Sequence, residues 1–193
     1  MPIAEETNPI GPRPVRVFFA IWPDPETQKR LGSVVEQLRL DALCGGRATK
    51  LQNIHLTLVF LGDVDAGRLP ALSQVADGIR DSGTSAFDFT IEEIGYWKRN
   101  HIVYLAPREV PAELIQLVSI LEDGVSNAGF SVERRPYAPH ITLMRNARCP
   151  TFPAFAPELA APIAWQAREW LLVKSEQTSG GSVYAPVGRW SLE

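Results

Sequence analysis

One tetrapeptide, His-x-Thr-Leu, occurs twice in this chain, as His55-Leu56-Thr57-Leu58 and His140-Ile141-Thr142-Leu143, and the copies stand 85 positions apart. The same separation relates two apolar runs, Val17 to Ile21 (VFFAI) and Ile102 to Ala106 (IVYLA). A helical pattern follows each run at nearly the same offset, one after Pro25 and one after Pro111. A strand-helix-strand order that recurs at a fixed period is the mark of an internal duplication. A repeated unit that cannot bury its apolar face alone packs against its copy, and a two-fold pairing sets equivalent strands across a shared cleft. The two histidines are then expected to face each other.

The rest of the chain fits one α+β body over 15–193. Val15 to Trp22 is a β-branched and aromatic run stopped by Pro23, which reads as a buried strand. Asp24 caps a helix that carries Leu31, Val34, Val35 and Leu38 at helical spacing to about Leu43. Ile54 to Gly62 is the next strand, Asp65 to Asp81 a helix closed by Gly83, and Phe87 to Trp97 and Ile102 to Ala106 two more strands. Pro111 to Asn127 reads as a helix and Tyr137 to Met144 as a strand. After the Pro-rich loop of Cys149 to Pro162, Trp165 to Ser175 and Ser182 to Leu192 pair around the turn Thr178 to Ser182.

Composition narrows the function classes. A net charge of −3 argues against a long basic face of the kind that grips nucleic acid along its backbone, so any nucleic-acid contact is local. No apolar run approaches the roughly 18 residues that span a bilayer, so no membrane partner is expected. Residues 1–14 show neither the basic nor the apolar region of a secretory signal and read as a disordered leader. Cys44 and Cys149 form no spaced framework, which leads to the expectation of a cytoplasmic, thiol-reduced protein.

On an extended strand, Leu56, Leu58 and Phe60 share one face and His55 with Thr57 the other; Ile141 and Leu143 stand likewise against His140 and Thr142. Imidazole and hydroxyl are then about 6.6 to 7 Å apart along the strand, within reach of neighbouring oxygens on one phosphate. In-line displacement at phosphorus requires an activated water on one side and a protonated leaving oxygen on the other. Two opposed imidazoles with ordinary pKa near 6.5 supply both. The threonine hydroxyls would donate to the non-bridging oxygens, where negative charge must be held. A single histidine on a strand is usually a structural, hydrogen-bonded residue, but here two of only three histidines share the tetrapeptide.

Other candidates are weaker. His101 has no such context and reads as a surface residue at a strand start. Arg145 is a candidate phosphate ligand through its bidentate fork, yet its offset of five from His140 points it to the opposite face unless the strand ends or bulges. Arg134 and Arg135 add local positive charge, and Tyr137 is a candidate for base stacking, with core packing as its other role. The serine-hydrolase elbow, the P-loop and the zincin motif are absent, and the glycines of Thr178 to Ser182 read as a hairpin turn. Each histidine is accompanied by threonine rather than by a carboxylate or thiol, so the expectation is catalysis without metal or other cofactor.

The paired tetrapeptides resemble the defining motifs of the 2H phosphoesterases. The likeness extends to Val17-Phe18-Phe19-Ala20-Ile21, to Asn53-Ile54 and Phe60-Leu61-Gly62 around the first motif, to Arg135-Pro136-Tyr137-Ala138-Pro139 before the second, and to Tyr184 and Trp190. These segments look like bacterial RNA 2',3'-cyclic phosphodiesterases, also described as 2'-5' RNA ligases. The resemblance implies a bilobal fold with two antiparallel sheets around a central cleft and helices outside. It implies His55 as proton donor to the 3' oxygen, His140 as proton acceptor from water, Thr57 and Thr142 on the phosphate, and a 2'-phosphomonoester product. The nearly identical motifs alone leave acid and base unassigned. One departure is Thr49-Lys50-Leu51-Gln52, where relatives often carry a tryptophan-containing stretch.

The implied partner is an RNA or oligonucleotide end bearing a 2',3'-cyclic phosphate, handled by a monomer, with reversible 2'-5' ligation as an accompanying reaction. The same histidines would also serve another cyclic or 2'-5' linked nucleotide. A reading of a different class is an RNA-binding or sealing module, against which two complete motifs speak.

Overall fold

The computed structural model describes residues 14–80, 84–133, 135–150, 152 and 159–193. The expected leader lies outside them apart from Pro14, which begins the first strand, and Arg134 and Gly83 lie outside as well. Ten strands and four α-helices are described: β1 Pro14–Ile21, α1 Pro25–Gln37, α2 Leu40–Cys44, β2 Arg47–Ala48, β3 Leu56–Asp65, α3 Leu69–Arg80, β4 Phe87–Ile91, β5 Glu93–Trp97, β6 Ile102–Ala106, α4 Ala112–Asn127, β7 Ile141–Arg145, β8 Ile163–Ala167, β9 Glu169–Thr178 and β10 Gly181–Ser191.

The strands form two four-stranded sheets, ordered β10-β9-β1-β3 and β2-β7-β6-β5, and a short β4-β8 pair. All the pairings are antiparallel. In each large sheet a central strand, β1 or β6, pairs with the strand after the histidine, β3 or β7. The repeat read from sequence is thus a repeat of strand order. The short pair joins the lobes, because β4 runs through Glu92 into β5 while β8 runs through Arg168 into β9. Phe87 to Trp97, expected as one strand, is therefore two strands in different sheets, and Trp165 to Ser175 divides in the same way.

β1 explains its own composition. Val17, Phe19 and Ile21 are buried in the main core, while Phe18 and Ala20 are buried on the opposite face against Leu171 and Val173 of β9. A strand covered on both faces needs a continuous apolar run, as this one is. Trp22 and Tyr184 pack against that second cluster and so give the cleft an aromatic lining.

The helix after β1 starts as expected: Asp24 Oδ1 accepts from the backbone N–H groups of Glu26 and Thr27, each at 3.0 Å. It is not continuous to Leu43, because Arg39 adopts a left-handed conformation (φ 49°) that separates α1 from α2. α2 ends at Cys44, where a second correction falls. Cys44 and Cys149, expected as free thiols, form a disulfide across 105 positions. Spacing in sequence could not show this, since the pairing is made by the fold: the Arg148 N–H donates to the Cys44 carbonyl at 2.7 Å.

Candidate active site

Both histidines sit immediately before a strand, His55 ahead of β3 and His140 ahead of β7. The strands expected from Ile54 and Tyr137 begin later than the patterns suggested, and the residues ahead of them serve to orient the rings. His55 Nδ1 lies 2.6 Å from the Asn53 carbonyl and His140 Nδ1 lies 2.8 Å from the Ala138 carbonyl. A carbonyl only accepts, so each Nδ1 carries the proton, and each Nε2 is left to act in the cleft. The identical clamp, two residues back in both copies, is the closest structural echo of the repeat.

Each strand then bulges at the third residue past its histidine. Thr57 pairs with Ala20 and Val59 with Phe19, which leaves Leu58 extra; Thr142 pairs with Tyr104 and Met144 with Val103, which leaves Leu143 extra. The bulges fall at the same offset, but Ala20 and Tyr104, the partners of the two threonines, stand one position closer than the 85 that separates the histidines. A bulge switches the face that later side chains occupy. In β3 it buries Leu58 and Val59 in succession and turns Phe60 out to 45% exposure, correcting the expectation that Phe60 shares a face with Leu58. In β7 it buries Leu143 and Met144 in succession and brings Arg145 to the side of Thr142. The bulge that a phosphate-binding Arg145 requires is present.

A cleft of about 120 Å³ is lined by His55, Thr142 and Arg145 together with Asn53, Tyr184 and the Gly180 to Ser182 turn. A second, of about 100 Å³, is lined by His140 and Thr57 with Trp97, Arg135 and Tyr137. Each cleft pairs the histidine of one copy with the threonine of the other. A larger hollow of about 870 Å³ lies beyond Trp22 and Tyr184, but neither histidine lines it. His55 Nε2 is 3.1 Å from Thr57 Oγ1. Asn53, buried, donates from Nδ2 to the Ser182 carbonyl at 2.8 Å and ties the His55 clamp to the β9-β10 hairpin.

The aromatic lining sets the electrostatics. Trp22 stacks on His55 at 4.9 Å between centroids with 11° between planes, Phe18 lies at 5.0 Å and Tyr184 meets its edge at 5.3 Å. Burial among these rings pushes the His55 pKa down to about 4, against an upward pull from the Asn53 carbonyl, and the charge of Arg145 adds to the depression. His140 meets Trp97 edge-on at 4.5 Å and is also lowered, by burial first and then by Arg135 and Arg145. Arg145 thus acts on both imidazoles.

The other candidates are also placed. Tyr137 donates its hydroxyl to the Thr57 carbonyl at 2.9 Å, and its ring packs against the core while lining the His140 cleft. His101 is exposed in a turn with φ 55°, its Nδ1 3.1 Å from the Ala147 carbonyl, and it lines neither cleft. Arg135 pairs with Glu133 at 3.3 Å. The hairpin turn at Ser179-Gly180 is a turn as expected, and it also closes over the His55 cleft. Sequence reasoning singled out none of Trp22, Trp97 and Arg47 as a site residue, and met Lys50 only as part of the Thr49 to Gln52 departure. Trp22 directly follows β1 and Trp97 ends β5, and each packs on a histidine ring.

Residues 23–179 match the profile of the 2'-5' RNA ligase superfamily. The chain belongs to this superfamily. Its relatives include a protein of Escherichia coli K12 named RNA 2',3'-cyclic phosphodiesterase, 36% identical over 147 residues that cover 76% of this chain and 80% of that one. A protein of the same name from Thermotoga maritima is 33% identical over 139 residues, covering 68% and 70%. Among solved structures of the superfamily, E. coli LigT complexed with 3'-AMP superposes with a TM-score of 0.82 at 33% identity, covering 93% of this chain and 98% of that one. The bilobal α+β arrangement with antiparallel sheets is thus a superfamily fold.

Proposed function

We propose that this protein opens 2',3'-cyclic phosphate ends of RNA to 2'-phosphomonoesters, with His55 as acid and His140 as base. The observation that supports the reading is the matched Nδ1 clamp, which leaves Nε2 of each ring in a cleft shared with the threonine of the other copy, in a chain whose relatives bear the name RNA 2',3'-cyclic phosphodiesterase. No helix among the described residues is long and apolar enough to cross a membrane.

In the proposed step, neutral His140 takes a proton from water through Nε2 as the water oxygen bonds to phosphorus. The bond from phosphorus to O3' breaks, and His55 Nε2–H supplies the proton to O3'. Thr57 and Thr142 donate hydroxyl hydrogens to the non-bridging oxygens, and Arg145 offsets their charge. Without ligand, His55 is neutral near pH 7, because burial and Arg145 oppose its charge. The anionic phosphate reverses the second of these effects and favours the imidazolium. Once protonated, Nε2 turns its hydrogen to O3', which frees the Thr57 hydroxyl for the phosphate.

The step uses no metal ion. A monomer, with 2'-5' ligation as the reverse of a related transesterification and base stacking on Tyr137 in the His140 cleft, completes the proposal. The test is turnover of a short RNA ending in a 2',3'-cyclic phosphate, in excess chelator, with 2' and 3' products resolved. A 2'-phosphate product is expected; no turnover, or a 3'-phosphate, refutes the proposal.

A further inference from the structure

Three cations crowd the rim of the His55 cleft in a chain of net charge −3: Arg47, Lys50 and Arg145. Arg47 of β2 stands directly opposite Arg145 of β7 in the antiparallel pair. Like charges in that position repel and destabilise the pairing. No Asp or Glu is among the described residues lining this cleft, and none of the three cations has a carboxylate partner among them. The rim keeps its repulsion unrelieved, an arrangement that an anion would convert from a cost into a binding energy.

The reacting phosphate accounts for Arg145, which stands on the side of Thr142 and acts on both imidazoles. It does not account for Arg47 and Lys50, which are exposed and lie beside the glycines of the β9-β10 turn. A Cβ added at Gly181 would lie 3.4 Å from Arg47 Nη1, and one at Gly180 would lie 3.8 Å from Lys50 Nζ. The turn thus lies within van der Waals reach of both cations and sets them side by side at the rim.

We infer that Arg47 and Lys50 form a second anion site, for the phosphodiester one nucleotide before the reacting end. The inference rests on the proposed reaction at His55 and His140. It assigns a substrate class: an oligonucleotide end, preferred over a 2',3'-cyclic mononucleotide that has no second phosphate. The positive field needed is local, which suits a chain that is acidic overall.

The test compares kcat/KM on adenosine 2',3'-cyclic phosphate with that on the ApA dinucleotide ending in a 2',3'-cyclic phosphate, for the protein and for Arg47→Ala with Lys50→Ala. Loss of two charge-assisted contacts lowers the dinucleotide value by about ten- to a hundredfold and leaves the mononucleotide value within about threefold. Arg47→Gln with Lys50→Gln serves if the alanine variant does not fold. In the unaltered protein, the dinucleotide value falls more steeply with salt than the mononucleotide value. Equal losses on both substrates, no loss on either, or equal salt slopes overturn the second site. Turnover of neither substrate by the unaltered protein overturns the proposed reaction itself.

Discussion

Lowering the pH from 7 to 4 should destabilise this protein through His55 in particular, and replacement of His55 by Gln should remove that part of the loss. Folded His55 titrates near 4, against 6.5 for an exposed imidazole. Between those values the unfolded chain binds a proton that the folded one refuses, so stability falls as the pH drops through the window and is whole above it. At about 1.4 kcal/mol per pKa unit, the effect approaches 3 kcal/mol by pH 4. Urea unfolding at both pH values reads it: the native protein loses about 3 kcal/mol more than His55→Gln. His140 and the carboxylates titrate in both proteins and cancel in the difference. The cause is tested by Trp22→Ala, which takes away a stacked ring and moves the His55 midpoint up toward 6.5 by NMR titration. Equal pH losses in native protein and His55→Gln would refute the argument that the aromatic wall holds this imidazole neutral.

Three further outcomes follow from the same geometry. Both imidazoles are held below 6.5 in the free protein, and the step needs one of them protonated, so kcat/KM should fall about tenfold per unit as pH rises above neutrality; a flat profile from pH 7 to 9 contradicts this. Tyr137→Phe removes the hydrogen bond to the Thr57 carbonyl and should cost roughly 1 kcal/mol of stability by thermal or urea unfolding, more if the carbonyl stays dry; an unchanged stability shows the bond to be idle. Cys44→Ser opens a cross-link spanning 105 positions and should cost about 2 to 5 kcal/mol in non-reducing buffer; a variant as stable as the parent shows the bond to be absent in solution.

The site was legible because chemistry repeats where structure repeats. Two His-x-Thr-Leu copies at the spacing of two apolar strands carried both the order of strands in the two sheets and the residues of the cleft. Alternation carried less. A two-residue period assumes an unbroken strand, and the bulges at Leu58 and Leu143 break it just where Phe60 and Arg145 are decided. The Cys44–Cys149 bond was invisible because its partners meet through β2, a strand of two residues with no pattern to read. The aromatic wall was half visible. Phe18 drew notice within an apolar strand and Tyr184 through the family resemblance, but their aim at His55 depends on β1 being buried on both faces.

The two-imidazole account is tested most directly by the turnover of 2',3'-cyclic phosphate RNA by His55→Ala and His140→Ala, each checked for native fold by circular dichroism and assayed in chelator. Each substitution should lower kcat by at least about 10²-fold, the usual contribution of a positioned acid or base. A folded variant of either kind that keeps kcat within tenfold of the parent would contradict it.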